Sequence, residues 1–221
     1  MKPHLLLDWM WSVNIRGPRA LWTFASSPVP PEIRGDVQRW VEQRPTPGLC
    51  LYGKAGVGKT GLMIAAMRHY LLYHQKADFN HAQKRYRWAL VGLGVHKQNR
   101  RPKNIAVVWF DQWRTLAHEL HKARQAQDED AITAEGLLDA LRAAELLAID
   151  DLDTGAPSDW KEETVLLLID QIEMGQRMMV TMNHAPSRSV ERLGQRIADR
   201  LSDGLLWTTI EVPGVSKRSN R

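Results

Sequence analysis

A chain of 221 residues with 43% hydrophobic and 25% charged residues has the size and composition of one globular α/β domain with short appendages. The net charge of +5 suits a polyanionic partner, and a single cysteine excludes an internal disulfide framework. No stretch approaches the roughly 18 apolar residues of a membrane span, and Asp8 interrupts the apolar N-terminus, so a cytoplasmic chain with no membrane partner is expected.

Residues 1–31 carry Trp9, Trp11, Trp22 and a Ser-Ser-Pro-Val-Pro-Pro stretch. They read as an irregular tail that either covers the core or docks a partner through aromatic anchors. A helix is expected over 32–43, ended by the Pro45-Thr46-Pro47-Gly48 turn. The apolar run Leu49-Cys50-Leu51-Tyr52 reads as a buried strand, which makes Cys50 a buried, inert thiol.

That strand enters Gly53-Lys54-Ala55-Gly56-Val57-Gly58-Lys59-Thr60, a complete G-x-x-x-x-G-K-[ST] loop followed by Gly61. Its glycines let successive backbone N–H groups point at phosphate oxygens. Lys59 adds a point charge for the β- and γ-phosphates, and the Thr60 hydroxyl can ligate Mg²⁺. Apolar residues at helical spacing (Leu62, Ile64, Ala65, Ala66, Met67, Tyr70, Leu71) carry a helix to about residue 75. A nucleoside triphosphate site is the reading.

Residues 79–104 break the pattern. Residues 79–110 hold seven Lys or Arg, among them Lys84, Arg85, Arg87, Arg100 and Arg101, and no Asp or Glu. Tyr86 and Trp88 lie between them. Basic side chains with interleaved aromatics suit a single strand, charges on phosphates and rings under bases; a solvated basic loop is the competing reading. Residues 105–110 form a continuous apolar strand, and helices are expected over 112–125 and 135–144, with a polar link at 127–130. His118 and His121 fall one residue short of H-E-x-x-H and read as surface decoration rather than zinc ligands.

The strand 146–149 delivers Asp150 and Asp151 to its tip. Asp150 can hold Mg²⁺ through water, and Asp151 can orient or deprotonate an attacking water. A helix over 160–174 leads to the strand 178–181, beyond which Asn183 can hydrogen-bond the attacking water or the γ-phosphate. A single helix over 190–201 sets Arg196 and Arg200 four residues apart on one face, a spacing that by itself favours solvated ion pairs to Asp199 or Asp203 over a role at a phosphate. A last strand spans 206–212. Strands alternating with helices imply a doubly wound parallel sheet with its ligand site at the carboxyl ends of the strands.

Taken in order, GKAGVGKT, LLAIDDL, MMVTMN and LGQRIADRL resemble the AAA+ ATPases of the DnaC/IstB family, the replicative helicase loaders and related transposition helpers. The likeness covers roughly residues 32–215. It implies a parallel-sheet AAA+ core, with 79–104 as a basic insertion and 216–221 as a basic tail. It further implies an ATP- and Mg²⁺-dependent ATPase that forms homo-oligomers on single-stranded DNA and delivers a hexameric replicative helicase. Arg200 becomes the arginine finger supplied to a neighbouring subunit, and Arg196 a second interface arginine. Val215-Ser216-Lys217-Arg218 resembles the Ser-x-Arg that closes the family's core, which implies a core without a C-terminal helical lid. Two alternatives stay open: a transposition helper acting on duplex DNA, and a nucleotide-gated assembly scaffold.

Overall fold

The computed structural model describes residues 22–74, 105–110, 141 and 144–216. The tail residues Trp9 and Trp11, the basic stretch with Lys84, Arg85, Arg87, Trp88, Arg100 and Arg101, the helix expected over 112–125, residues 135–140 and 142–143 of the helix expected over 135–144, and residues 217–221 lie outside them.

Helix α1 (Pro31–Gln43) starts on a proline, whose fixed φ and missing N–H suit a first turn. It ends at Arg44, which adopts φ 55° and returns its N–H to the Trp40 carbonyl. It buries Val37, Trp40 and Val41. Strand β1 (Gly48–Tyr52) follows, then α2 (Lys59–His74), β2 (Ile105–Phe110), β3 (Ala144–Ile149), α3 (Asp159–Ile169), β4 (Arg177–Met182), α4 (Val190–Leu193), α5 (Gln195–Ser202) and β5 (Trp207–Glu211). Ser158 caps α3 by accepting the Lys161 N–H at 3.2 Å, and Asp159 and Glu162 place negative charge in the first turn.

The five strands are all parallel and stand in the order β2-β3-β4-β1-β5. Alternation along the strands divides the core between the two faces of the sheet. One cluster joins Leu49, Leu51, Leu146, Ala148, Met179 and Ile210 to α1 and α2. The other joins Cys50, Leu147, Ile149, Met178 and Val180 to α3 and α5. Central strands covered on both sides are continuous apolar runs, which is why they stand out in the sequence.

Three expectations of continuity or boundary fail. The helix expected over 160–174 ends at Ile169 and passes through a 3₁₀ turn, Asp170–Ile172, to Gly175 at φ 94°. Ala144, expected to end a helix, opens β3. The helix expected over 190–201 is two, because Gly194 takes φ 86° between Leu193 and Gln195. A Cβ there would also come within 2.5 Å of a Glu162 carboxylate oxygen, a position only glycine fills without displacement.

Candidate nucleotide site

β1 lies between β4 and β5, so the loop leaving it opens beside the tips of both. Tight joining sets the loop's shape. Gly53 adopts φ 150°, and a Cβ on it would stand 2.4 Å from the Val212 carbonyl oxygen at the end of β5. The chain beyond β5 then passes the loop itself, with Ser216 packed against Gly56.

Lys59 is 5% exposed and turned inward. Its ammonium donates to the carbonyls of Gly53 at 2.7 Å and Lys54 at 3.0 Å, and to Asn183 Oδ1 at 3.2 Å. Phosphate loop and β4 tip are thus joined through one side chain.

Asp150, 3% exposed, occupies the tip of β3. One carboxylate oxygen accepts from the Thr60 hydroxyl at 2.7 Å and the other from the Thr181 hydroxyl. Thr181 also accepts the Asp151 N–H at 2.9 Å, and its carbonyl takes the Leu152 N–H at 2.9 Å. These bonds hold the turn in which Asp151 sits at φ 50°, a left-handed conformation that Asp tolerates better than most residues.

The hydroxyl of Thr60 and the carboxylate of Asp150 are adjacent hard-oxygen donors of the kind Mg²⁺ takes. Among the described residues no group of three or more His, Cys, Asp or Glu could cage a metal. An ion here would draw its remaining ligands from water and phosphate, as Mg²⁺ at nucleotide sites usually does.

Two residues of this cluster have no counterpart among the sequence candidates, Thr181 and Asp153. Asp153 is 1% exposed. It accepts the Asn183 N–H at 2.9 and 3.0 Å, Asn183 Nδ2 at 3.4 Å, the His184 N–H at 3.1 Å, and His184 Nδ1 at 2.8 Å. Nearby Lys161 is 2% exposed and donates to the Thr154 carbonyl at 2.9 Å. Burial pulls its ammonium down to about 8, with Asp153 opposing that fall and Arg192 adding to it. Burial, with the Asp153 charge behind it, pushes the Cys50 thiol well above its ordinary range, in keeping with an inert side chain.

Arg196 and Arg200 stand apart from this cluster. Arg196 is exposed on α5. Arg200, with its side chain 40% exposed, pairs with Glu173 and, at 3.4 Å, with Asp170. The ion pairs that spacing allowed to Asp199 or Asp203 are replaced by ones across to the 3₁₀ turn after α3, while Asp199 accepts from Gln195 at 2.6 Å.

A glycine-rich loop between strand and helix and a paired-aspartate strand tip in a parallel sheet are the features of a P-loop nucleotide-binding fold. Solved structures narrow the type. AMPPCP-bound DnaA from Aquifex aeolicus superposes with a TM-score of 0.61 at 16% identity, covering 91% of this chain and 53% of that one. The DnaC helicase loader superposes with a TM-score of 0.58 at 15% identity, covering 90% of this chain and 100% of that one. In sequence, the chromosomal replication initiator protein DnaA of Zymomonas mobilis is 27% identical over 159 residues, 72% of this chain. The chain spans only 26% of that relative's length. No protein-family profile matches. The fold is that of the DnaA/DnaC-type AAA+ domain. Among the described residues no helix is long and apolar enough to cross a membrane.

Proposed function

We propose that the protein is an Mg²⁺-dependent ATPase that assembles with copies of itself on single-stranded DNA and delivers a replicative helicase there. The observation that carries the reading is the hydrogen-bonded group Thr60–Asp150–Thr181 beside Lys59–Asn183. It brings the phosphate loop and two strand tips within reach of one ligand. In this reading the N–H groups of residues 53–61 and Lys59 take the phosphates, and phosphate oxygens replace the carbonyls that Lys59 now contacts. Thr60 and Asp150 hold Mg²⁺, which when bound neutralises phosphate charge. Asp151 positions the attacking water, and Asn183 orients groups around it. Arg200, with Arg196 beside it, is supplied to the neighbouring copy's site.

Likeness in fold to a DnaC helicase loader and to DnaA supports a replication role over transposition. Calorimetry is the first test. Lys59→Ala should lose ATP binding while melting as a folded protein, and an unchanged ATP affinity would remove the foundation of the proposal.

The basic stretch is proposed as the DNA contact. Converting Arg85, Arg87, Arg100 and Arg101 to Glu should weaken binding to single-stranded oligonucleotides and flatten its salt dependence. Each lost phosphate contact should lower the log–log slope by about 0.7. Unchanged affinity would exclude the stretch, and a preference for duplex DNA would favour a transposition helper.

A further inference from the structure

Asn183 stands between two neighbours of opposite hydrogen-bonding character. On one side the Lys59 ammonium, which can only donate, lies 3.2 Å from Oδ1. On the other, an ionised Asp153 carboxylate can only accept. It takes Nδ2 at 3.4 Å and, more closely, the residue's own backbone N–H. Ordinarily the two ends of an amide are told apart only by such a network. Here both ends are specified, and by charged groups.

We propose that Asp153 is a positioning residue that fixes Asn183 with its carbonyl oxygen toward the phosphate loop and its NH₂ group turned away from it. Asn183 then works as an acceptor, drawing a proton of Lys59 or of the attacking water toward itself, and does not donate to the γ-phosphate. Asp153 is placed for this role by the turn after Asp151, where the Thr154 N–H closes on the Asp151 carbonyl at 3.0 Å. Burial keeps water from competing for its oxygens, and the two His184 bonds occupy the oxygen that Asn183 Nδ2 does not use. The buried cation Lys161 offsets its charge. The catalytic consequence rests on the ATPase reading above; the amide orientation does not.

An exchange of the two side chains tests it. Asn183→Asp preserves size and keeps an oxygen facing Lys59, but sets a second carboxylate against Asp153. It should lower kcat about a hundredfold while the ATP dissociation constant moves by less than about threefold. Adding Asp153→Asn restores a donor facing an acceptor with the net charge unchanged. The double variant should recover at least about tenfold of the lost kcat. The nucleotide-free melting temperature should follow the same cycle, falling in Asn183→Asp and rising again in the double variant. A double variant no faster and no more stable than Asn183→Asp overturns the proposal, as does wild-type kcat in Asn183→Asp alone. If the wild type turns over no ATP, the ATPase reading fails, and the melting cycle still decides which way the amide faces.

Discussion

At Thr181 one hydroxyl donates to Asp150 and accepts from the Asp151 backbone, so a neutral side chain sets the attitude of both aspartates. A buried carboxylate that accepts from two hydroxyls has both its oxygens satisfied within the fold. Lys161 presents the opposite problem, a cation buried beside Asp153 of the same cluster. Its folded value of about 8 lies below the unfolded value of 10.5, so the unfolded chain binds the extra proton between those pH values. Stability from this group therefore rises with pH across that window, and below about 8 the full penalty is present. Lys161→Met should remove the rise. Urea unfolding at pH 7.5 and 10.5 should show the wild type gaining about 3 kcal/mol relative to the variant. Parallel pH profiles for the two proteins would mean that Lys161 keeps its solution affinity for protons.

The break between α4 and α5 is the element-level feature with the clearest sequence cause. Gly194 at φ 86° ends one helix and starts the next, and the Glu162 carboxylate from α3 lies against it. The negative charge therefore meets the start of α5, where exposed N–H groups favour it. Gly194→Ala should cost about 1–3 kcal/mol, read as a lower urea midpoint, because the left-handed backbone is strained for any L side chain. Glu162→Ala in the same chain should recover only the part due to the close carboxylate. A Gly194→Ala protein as stable as the wild type would show that the break needs no glycine. The break also sets the course of α5, and with it the direction in which Arg196 and Arg200 leave the domain.

For the whole molecule, the sheet order sets the tips of β3, β4 and β1 side by side while α5 carries its arginines elsewhere. Arg200 sits on Glu173 and Asp170 of its own chain, in exposed ion pairs that are worth little and are readily exchanged. A finger used in trans must leave such partners for a neighbour's phosphate. Arg200→Ala and Lys59→Ala should each be inactive alone. Mixed, they should regain part of the wild-type ATPase rate, since one brings an intact pocket and the other an intact finger. No recovery at concentrations where the wild type assembles would leave Arg200 as a surface salt bridge.

Sequence alone determined the pieces whose signal is local. The central strands β1, β3 and β4 stand out as apolar runs, the Gly53–Thr60 loop as backbone that must bend closely, and Asp150 as a carboxylate ending a strand. Their causes lie within a few residues: backbone freedom, burial on two faces, side-chain period. Boundaries were less legible, because a glycine inside an amphipathic run, such as Gly194, reads either as tolerated or as a break until its φ is set by packing. Tertiary structure alone decided the strand order, the choice of Asp170 and Glu173 as partners of Arg200, and the roles of Thr181 and Asp153. Thr181 meets Asp150 from 31 residues away, and Asp153 meets Asn183 from 30. Nothing in the residues around either announces the other. The bond exists because two parallel strands, separated in the chain by a helix, are brought side by side by burial of their apolar faces, and their polar tips must then satisfy one another.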